Sequence, residues 1–405
     1  MTERPQHRVV VAGGGVAGLE TVMALRALAG SRVDIKLISP DADFVYRPLS
    51  VAEPFGLVSP VRYPLASVAE DFQAELVQDK LESVDPDERR VRLAGGAEVE
   101  YDSLVVALGA RAHPAWDHVP TFGGSGDAER TAELVRSVER GEIGSVAFVV
   151  PRGVTWPLPI YELALMTAAS ARRAGAKAEI AVFTPEADPL AIFGREASSV
   201  VAAALDAAGV QIARGVTIDV TPQNDLVIPS EDTPLRFEYV LAAPLLKGPA
   251  VAGLPSDSRG FIPIDGHGRV RDLVDIFAAG DGTDFPVKQG GVAAQQAVAV
   301  AETIAQRAGA AVEPRGFRPV LRTRLLTGDG SRFLHGEESG AVEGVSRASD
   351  RPLWWPSHKI AAAHLAPYLA EKGVLPEPQS MDAQHGIDEV LVAITEWVEE
   401  SPYGE

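Results

Sequence analysis

Residues 7–20, HRVVVAGGGVAGLE, run an apolar strand straight into Gly13, Gly15 and Gly18 and then into an alanine- and leucine-rich segment that ends near Gly30. Strand, glycine turn and helix in that order leave few folds open. Gly13 permits the tight turn, Gly15 lets backbone come close to a pyrophosphate, and Gly18 lets helix and strand pack closely. Val16 and Ala17 then open the helix, whose free N–H groups and positive end suit a phosphate. Val33–Ile38 reads as the second strand, about twenty residues past the turn, where a ribose-binding group is expected. Ser39 stands there in place of the usual acidic residue, with Asp41 two positions later, and either could serve the ribose.

A glycine fingerprint alone is weak, but two distant segments agree with it. YDSLVVALGA, residues 101–110, and VDIFAAGD, residues 274–281, resemble the other two signatures of flavoproteins that bind two dinucleotides. The resemblance implies FAD. It places the turn with Ala107 and Gly109 beside the cofactor, and gives Asp281, after Gly280, a hydrogen bond to the ribitol chain.

The 405 residues are too many for one ordinary core, and strand and helix patterns alternate along most of them, which indicates α/β architecture with parallel sheets. We expect two Rossmann-like domains, the second inserted in the first, plus a smaller C-terminal domain. Residues 1–115 and 255–318 form the FAD-binding domain, 116–254 the second, and 319–405 the third. In the second, residues 145–150 are a strand, 160–174 a helix and 178–183 a strand ending in FTPEAD. That string echoes ISPDAD, residues 38–43, class by class, which suggests duplication.

The chain has no cysteine, so disulfides, thiolate ligands and a redox cysteine pair are excluded. A net charge of −19 argues against nucleic acid and against electrostatic docking on anionic lipid. Neither a bilayer-length apolar run nor an N-terminal apolar stretch is present, and the expectation is a cytoplasmic protein, with contact at the inner membrane face allowed but not favoured.

The second domain has lost its fingerprint. Its first strand opens into PRGVTWPLPIYELA, residues 151–164, with one glycine, Gly153, and prolines at 151, 157 and 159 that remove N–H donors. Thr184 replaces the usual ribose-binding acid, with Glu186 displaced by two, so use of NAD(P)H is doubtful. Glu162 begins the following helix, either compensating its dipole or relaying a proton.

DFVYRPLSVAEPF, the loop ending in YELA, TPEADPLAIFG, and VKQGGVAAQQA together resemble the branch of sulfide:quinone oxidoreductases and the flavin subunits of flavocytochrome c sulfide dehydrogenases, neighbours of type II NADH dehydrogenases. The resemblance covers about residues 7–335. It implies electrons passing through flavin to a quinone or haem. The branch's sulfide chemistry runs on cysteines, and this chain lacks them. Beside the isoalloxazine the resemblance places Lys288, Gln289, Gly290 and Gly291, which open a helix whose amino end would stabilise negative charge on the flavin. Arg47 and Pro48 pass near the flavin in relatives, Trp156 could cover its face or merely pack, and Lys288 could be catalytic or solvated.

No histidine spacing suggests a metal; His358 and His364 lie six apart. WWPSHKIAAAHLAPYL, residues 354–369, could place paired tryptophans and a helix cut short by Pro367 at a membrane interface, and residues 387–400 form an acidic amphipathic stripe suited to packing on this chain or on a second copy. We therefore expect an FAD-dependent oxidoreductase, with Glu162 and Lys288 as candidate catalytic residues, that moves two electrons from a small donor to a quinone-like or other acceptor. The alternatives are an NAD(P)H:acceptor reductase, or a flavin-binding sensor or assembly protein without turnover.

Overall fold

The computed structural model describes residues 6–229, 233–337 and 345–375. The first unit contains β1 (His7–Ala12), α1 (Val16–Ala29), β2 (Val33–Ile38), β3 (Glu75–Val77) and β4 (Ser103–Val106). The second contains β5 (Ser145–Val149), α2 (Leu158–Ala174), β6 (Glu179–Phe183), β7 (Gln211–Ala213) and β8 (Tyr239–Ala242). The chain then returns to the first sheet through β9 (Ile276–Ala278) and continues into α3 (Gly290–Arg307). The first sheet has the order β9-β4-β1-β2-β3 and the second β7-β6-β5-β8, all parallel. Read from opposite ends, the second sheet repeats β3-β2-β1-β4 of the first.

The echo in sequence is also an echo in geometry. Gly13 N–H donates to the Ile38 carbonyl at 2.8 Å, and Val150 N–H to that of Phe183 at 2.9 Å. Ser39 Oγ accepts from Asp41 N–H at 3.3 Å, and Thr184 Oγ1 from Glu186 N–H at 3.2 Å. In both units the hydroxyl terminates the second strand by holding the next turn.

Helix α1 is buried on every side from Ala17 to Leu25, because it lies between the sheet, α3 and the C-terminal helix. The same packing explains its internal carboxylate. Glu20, fully buried, accepts from His364 N–H at 3.0 Å and Leu365 N–H at 2.7 Å, and burial lifts its pKa to about 7.

The last part forms an antiparallel sheet of β10 (Val320–Leu326), β11 (Ser331–Glu337) and β12 (Ser346–Ser349), followed by α4 (Leu365–Glu371). Two expectations are corrected here. The tryptophans do not share an interfacial face: Trp354 is buried edge-on to Phe333, 5.2 Å between ring centres, and donates to the His358 carbonyl, while Trp355 is 58% exposed. Pro367 does not cut a helix short; it occupies the first turn of α4, where its missing N–H costs nothing. The acidic stripe at 387–400 lies outside the described residues. Among those residues no helix is long and apolar enough to cross a membrane.

Candidate functional site

Each glycine of the first turn has its own physical reason. Gly13 has φ +119°, and a Cβ there would lie 2.2 Å from the Ala107 carbonyl oxygen. A Cβ on Gly18 would lie 1.8 Å from the Gly13 oxygen. Gly15 is different: its φ is −88°, and nothing stands within 4 Å of an added Cβ. The protein's own packing does not require glycine at 15, and the open space leaves room for a group to approach the amino end of α1.

The turn after β9 gives a second indication. Oδ1 of Asp281 is buried without a hydrogen-bond partner. Burial raises the Asp281 pKa to about 6, against the opposing influence of Lys288 and Arg47. A buried, unsatisfied carboxylate oxygen suits a ribitol hydroxyl. Together with the open cradle at Gly15, it shows that these residues fit FAD.

Beyond Asp281 lies a cavity of about 340 Å³ at the junction of the two units. It is lined by Arg47, Pro48, Asp281, Lys288, Gln289 and Gly290 from the first unit and by the 153–162 loop and helix start, including Trp156 and Glu162, from the second. Arg47 and Pro48 open a 3-10 stretch, Arg47–Phe55. Arg47 is exposed yet lines the cavity, and Trp156 both lines it and packs on Phe193, 5.7 Å between ring centres. Ser39 is buried at the end of β2, and Asp41 is exposed beyond it. Ala107 is buried against the turn at Gly13, and Gly109 has φ +67°.

Gln289 caps α3, accepting from Val292 N–H at 2.8 Å, while its Nε2 donates to the Arg322 carbonyl and ties the helix to β10. Lys288 is not solvated. Its Nζ donates to the Thr283 and Phe285 carbonyls at 2.5 and 2.6 Å and sits 4.0 Å above the Phe261 ring. Burial brings its pKa down to about 8, opposed by Asp281. With the ammonium committed to two carbonyls and an aromatic face, Lys288 fastens the loop that carries Asp281.

Glu162 also departs from expectation. Helix α2 begins at Leu158 with Pro159 in its first turn, so Glu162 lies beyond that turn and does not compensate the dipole. Its carboxylate is fully buried and takes both oxygens to Lys359 Nζ, each at 2.7 Å, with Leu326 N–H at 2.9 Å on Oε1. Burial pushes Glu162 up and Lys359 down, each opposed mainly by the other. Lys359 also lines the cavity and was missed from sequence. A single lysine in WWPSHKIAAAH carries no local signal, and its partner is 197 residues away. Lys359→Met should leave an unpaired buried carboxylate and lower unfolding free energy by about 3 kcal/mol in a denaturant titration. Glu162→Gln in the same chain, which keeps an acceptor for Leu326, should recover most of that loss.

At the corresponding turn of the second unit, three residues (13–15) separating β1 from α1 become eight (150–157) between β5 and α2. Tyr161, fully buried in α2, donates to Glu186 Oε2 at 2.6 Å. Burial raises the Glu186 pKa, opposed first by that hydroxyl. The acid nearest the ribose position is thus already engaged inside the protein.

Several known proteins share this plan. The chain is 32% identical over 171 residues to the sulfide-quinone reductase of Aquifex aeolicus (strain VF5), a stretch covering 39% of this chain and 38% of that protein. It is 28% identical over 159 residues, 34% of the relative's length, to the mitochondrial sulfide:quinone oxidoreductase of Dictyostelium discoideum. The chain therefore aligns with little more than a third of either relative. A ferredoxin reductase component of chlorobenzene dioxygenase from Cupriavidus sp. (strain PS12) is 27% identical over 379 residues, 83% of this chain and 88% of that protein. In fold, the crystal structure of the Aquifex aeolicus sulfide:quinone oxidoreductase superposes with a TM-score of 0.77 at 21% identity, covering 85% of this chain and 87% of that one. The family model described as pyridine nucleotide-disulphide oxidoreductase matches residues 7–302, and with most of its length so matched the chain belongs to that family.

Proposed function

We propose that the protein is an FAD-dependent oxidoreductase that takes two electrons from a small donor and delivers them to a quinone-like or other acceptor without cysteine chemistry. The observation that carries this reading is the junction cavity, where Asp281, the amino end of α3 and the buried Glu162–Lys359 pair meet. FAD, when bound, supplies the two-electron centre that links donor to acceptor. The turn at Gly13, Gly15 and Gly18, with Val16 and Ala17, would hold its pyrophosphate, Ser39 or Asp41 a ribose, and Asp281 the ribitol. Arg47, Pro48, Ala107, Gly109, Gly280, Lys288, Gln289 and Gly290 would border the remainder.

The protein's own contribution is electrostatic and protonic. The amino end of α3 offers positive potential at the cavity without reorganisation. Between Glu162 and Lys359 a proton can rest on Oε2 or on Nζ, since burial disfavours both charges. A pair of that kind can take up or release the proton that accompanies electron transfer. Glu162→Gln should therefore slow turnover by about 10²-fold or more, leave flavin content unchanged and flatten the pH profile.

The likeness to a ferredoxin reductase component favours a second reading, in which a nicotinamide cofactor is the donor and a small redox protein the acceptor. The engaged Glu186 and the lengthened, proline-bearing loop weigh against it. Anaerobic absorption spectroscopy of the purified protein against a panel of donors tests the proposal. Reduction within seconds by a donor other than NAD(P)H supports it, whereas bound flavin that no donor reduces would point to a sensor or assembly role.

A further inference from the structure

Gly280, two residues past the end of β9, has φ +85° and lies between two helices. A Cβ there would stand 3.1 Å from the Ala17 methyl of α1 and 3.4 Å from that of Ala293 in α3. Its carbonyl accepts from Thr283 N–H at 3.1 Å and Thr283 Oγ1 at 2.9 Å. Its N–H donates to Gln296 Oε1 at 2.7 Å. Gln296 projects from α3, is 2% exposed, and has no partner for its own Nε2. An unsatisfied buried amide is costly, so this side chain is ill suited to a purely packing role in an alanine-rich helix interface. What it supplies is an acceptor for one peptide. The next residue in the chain is Asp281, whose Oδ1 is likewise unsatisfied.

The geometry points to Gln296 as a positioning residue for the cofactor. By holding the Gly280 peptide to α3 it fixes the direction in which the Asp281 carboxylate leaves the turn, and so its reach to the ribitol hydroxyls. This rests on FAD being the cofactor. A residue that acts through Asp281 has no effect left once that carboxylate is removed, whereas one that only packs α3 weakens binding independently.

The test is a double-mutant cycle on the full chain, with flavin dissociation constants from titration of deflavinated protein and denaturant midpoints recorded alongside. Gln296→Met keeps side-chain length without an acceptor and should raise Kd about tenfold, as should Asp281→Ala. The double variant should bind FAD within about twofold of Asp281→Ala alone. Multiplying effects, or an unchanged Kd in Gln296→Met, would overturn the inference. Should Gln296→Met not yield folded protein, Gln296→Asn, which withdraws the amide by one methylene, carries the same cycle with the same outcomes. Wild-type protein that binds no FAD would refute the parent reading, and this inference with it.

Discussion

Gly15→Val is expected to purify folded but colourless. The wild-type backbone at 15 has an ordinary φ of −88°, and an added Cβ meets nothing within 4 Å, so the turn itself accepts a side chain there. What it obstructs is the approach of a pyrophosphate to the amino end of α1. Losing those charge-assisted contacts costs about 2–4 kcal/mol, or on the order of a hundredfold in affinity. Gly18→Val makes the contrast, because its Cβ would fall 1.8 Å from the Gly13 oxygen, and it should lose the fold together with the flavin. Equal thermal stability of Gly15→Val and wild-type proteins, both freed of flavin, with flavin retained only by the wild type, is the expected pattern. A coloured Gly15→Val protein would contradict it.

The second large effect concerns the donor. NADH and NADPH are expected to reduce the flavin poorly, with half-saturation beyond micromolar concentrations in stopped-flow. A dinucleotide needs several N–H donors on its pyrophosphate, and the 150–157 loop is long, with prolines at 151 and 157. The ribose partner is also engaged, since Glu186 accepts from Tyr161 at 2.6 Å. Two weakened contacts cost about 2–4 kcal/mol, again about a hundredfold. Asp41 makes an informative comparison. It follows the same hydroxyl turn in the first unit but is exposed. Rapid, saturable bleaching at micromolar NADH would replace the proposed donor with a nicotinamide.

The first unit was legible in the sequence because its glycines are forced locally. Gly13 needs its positive φ for the turn, Gly18 answers a contact with Gly13 in the same strand-turn-helix, and the repeated hydroxyl-proline-acid string marks the same strand end in both units. The chemistry of the cavity was less legible, because its central pair joins α2 to a segment 197 residues on and neither residue announces the other. For Glu162 the sequence leaves dipole compensation and proton relay both open; the helix starts at Leu158 rather than 160, which puts Glu162 beyond the first turn and buries it, and removes the first of the two. Lys288 was found by position, yet its commitment to two carbonyls and Phe261 depends on a loop fold that spacing does not convey. Trp354 and Trp355 show the same limit from the other side, since adjacent identical residues in an irregular segment face opposite environments.

This fold is expected to hold FAD as its working redox group. Expression with ample flavin, followed by absorption spectroscopy and titration of the deflavinated protein, measures it directly. The expected result is yellow protein carrying close to one FAD per chain, with Asp281→Ala retaining it more weakly. Protein that purifies colourless and does not take up FAD on reconstitution would contradict FAD as the redox group.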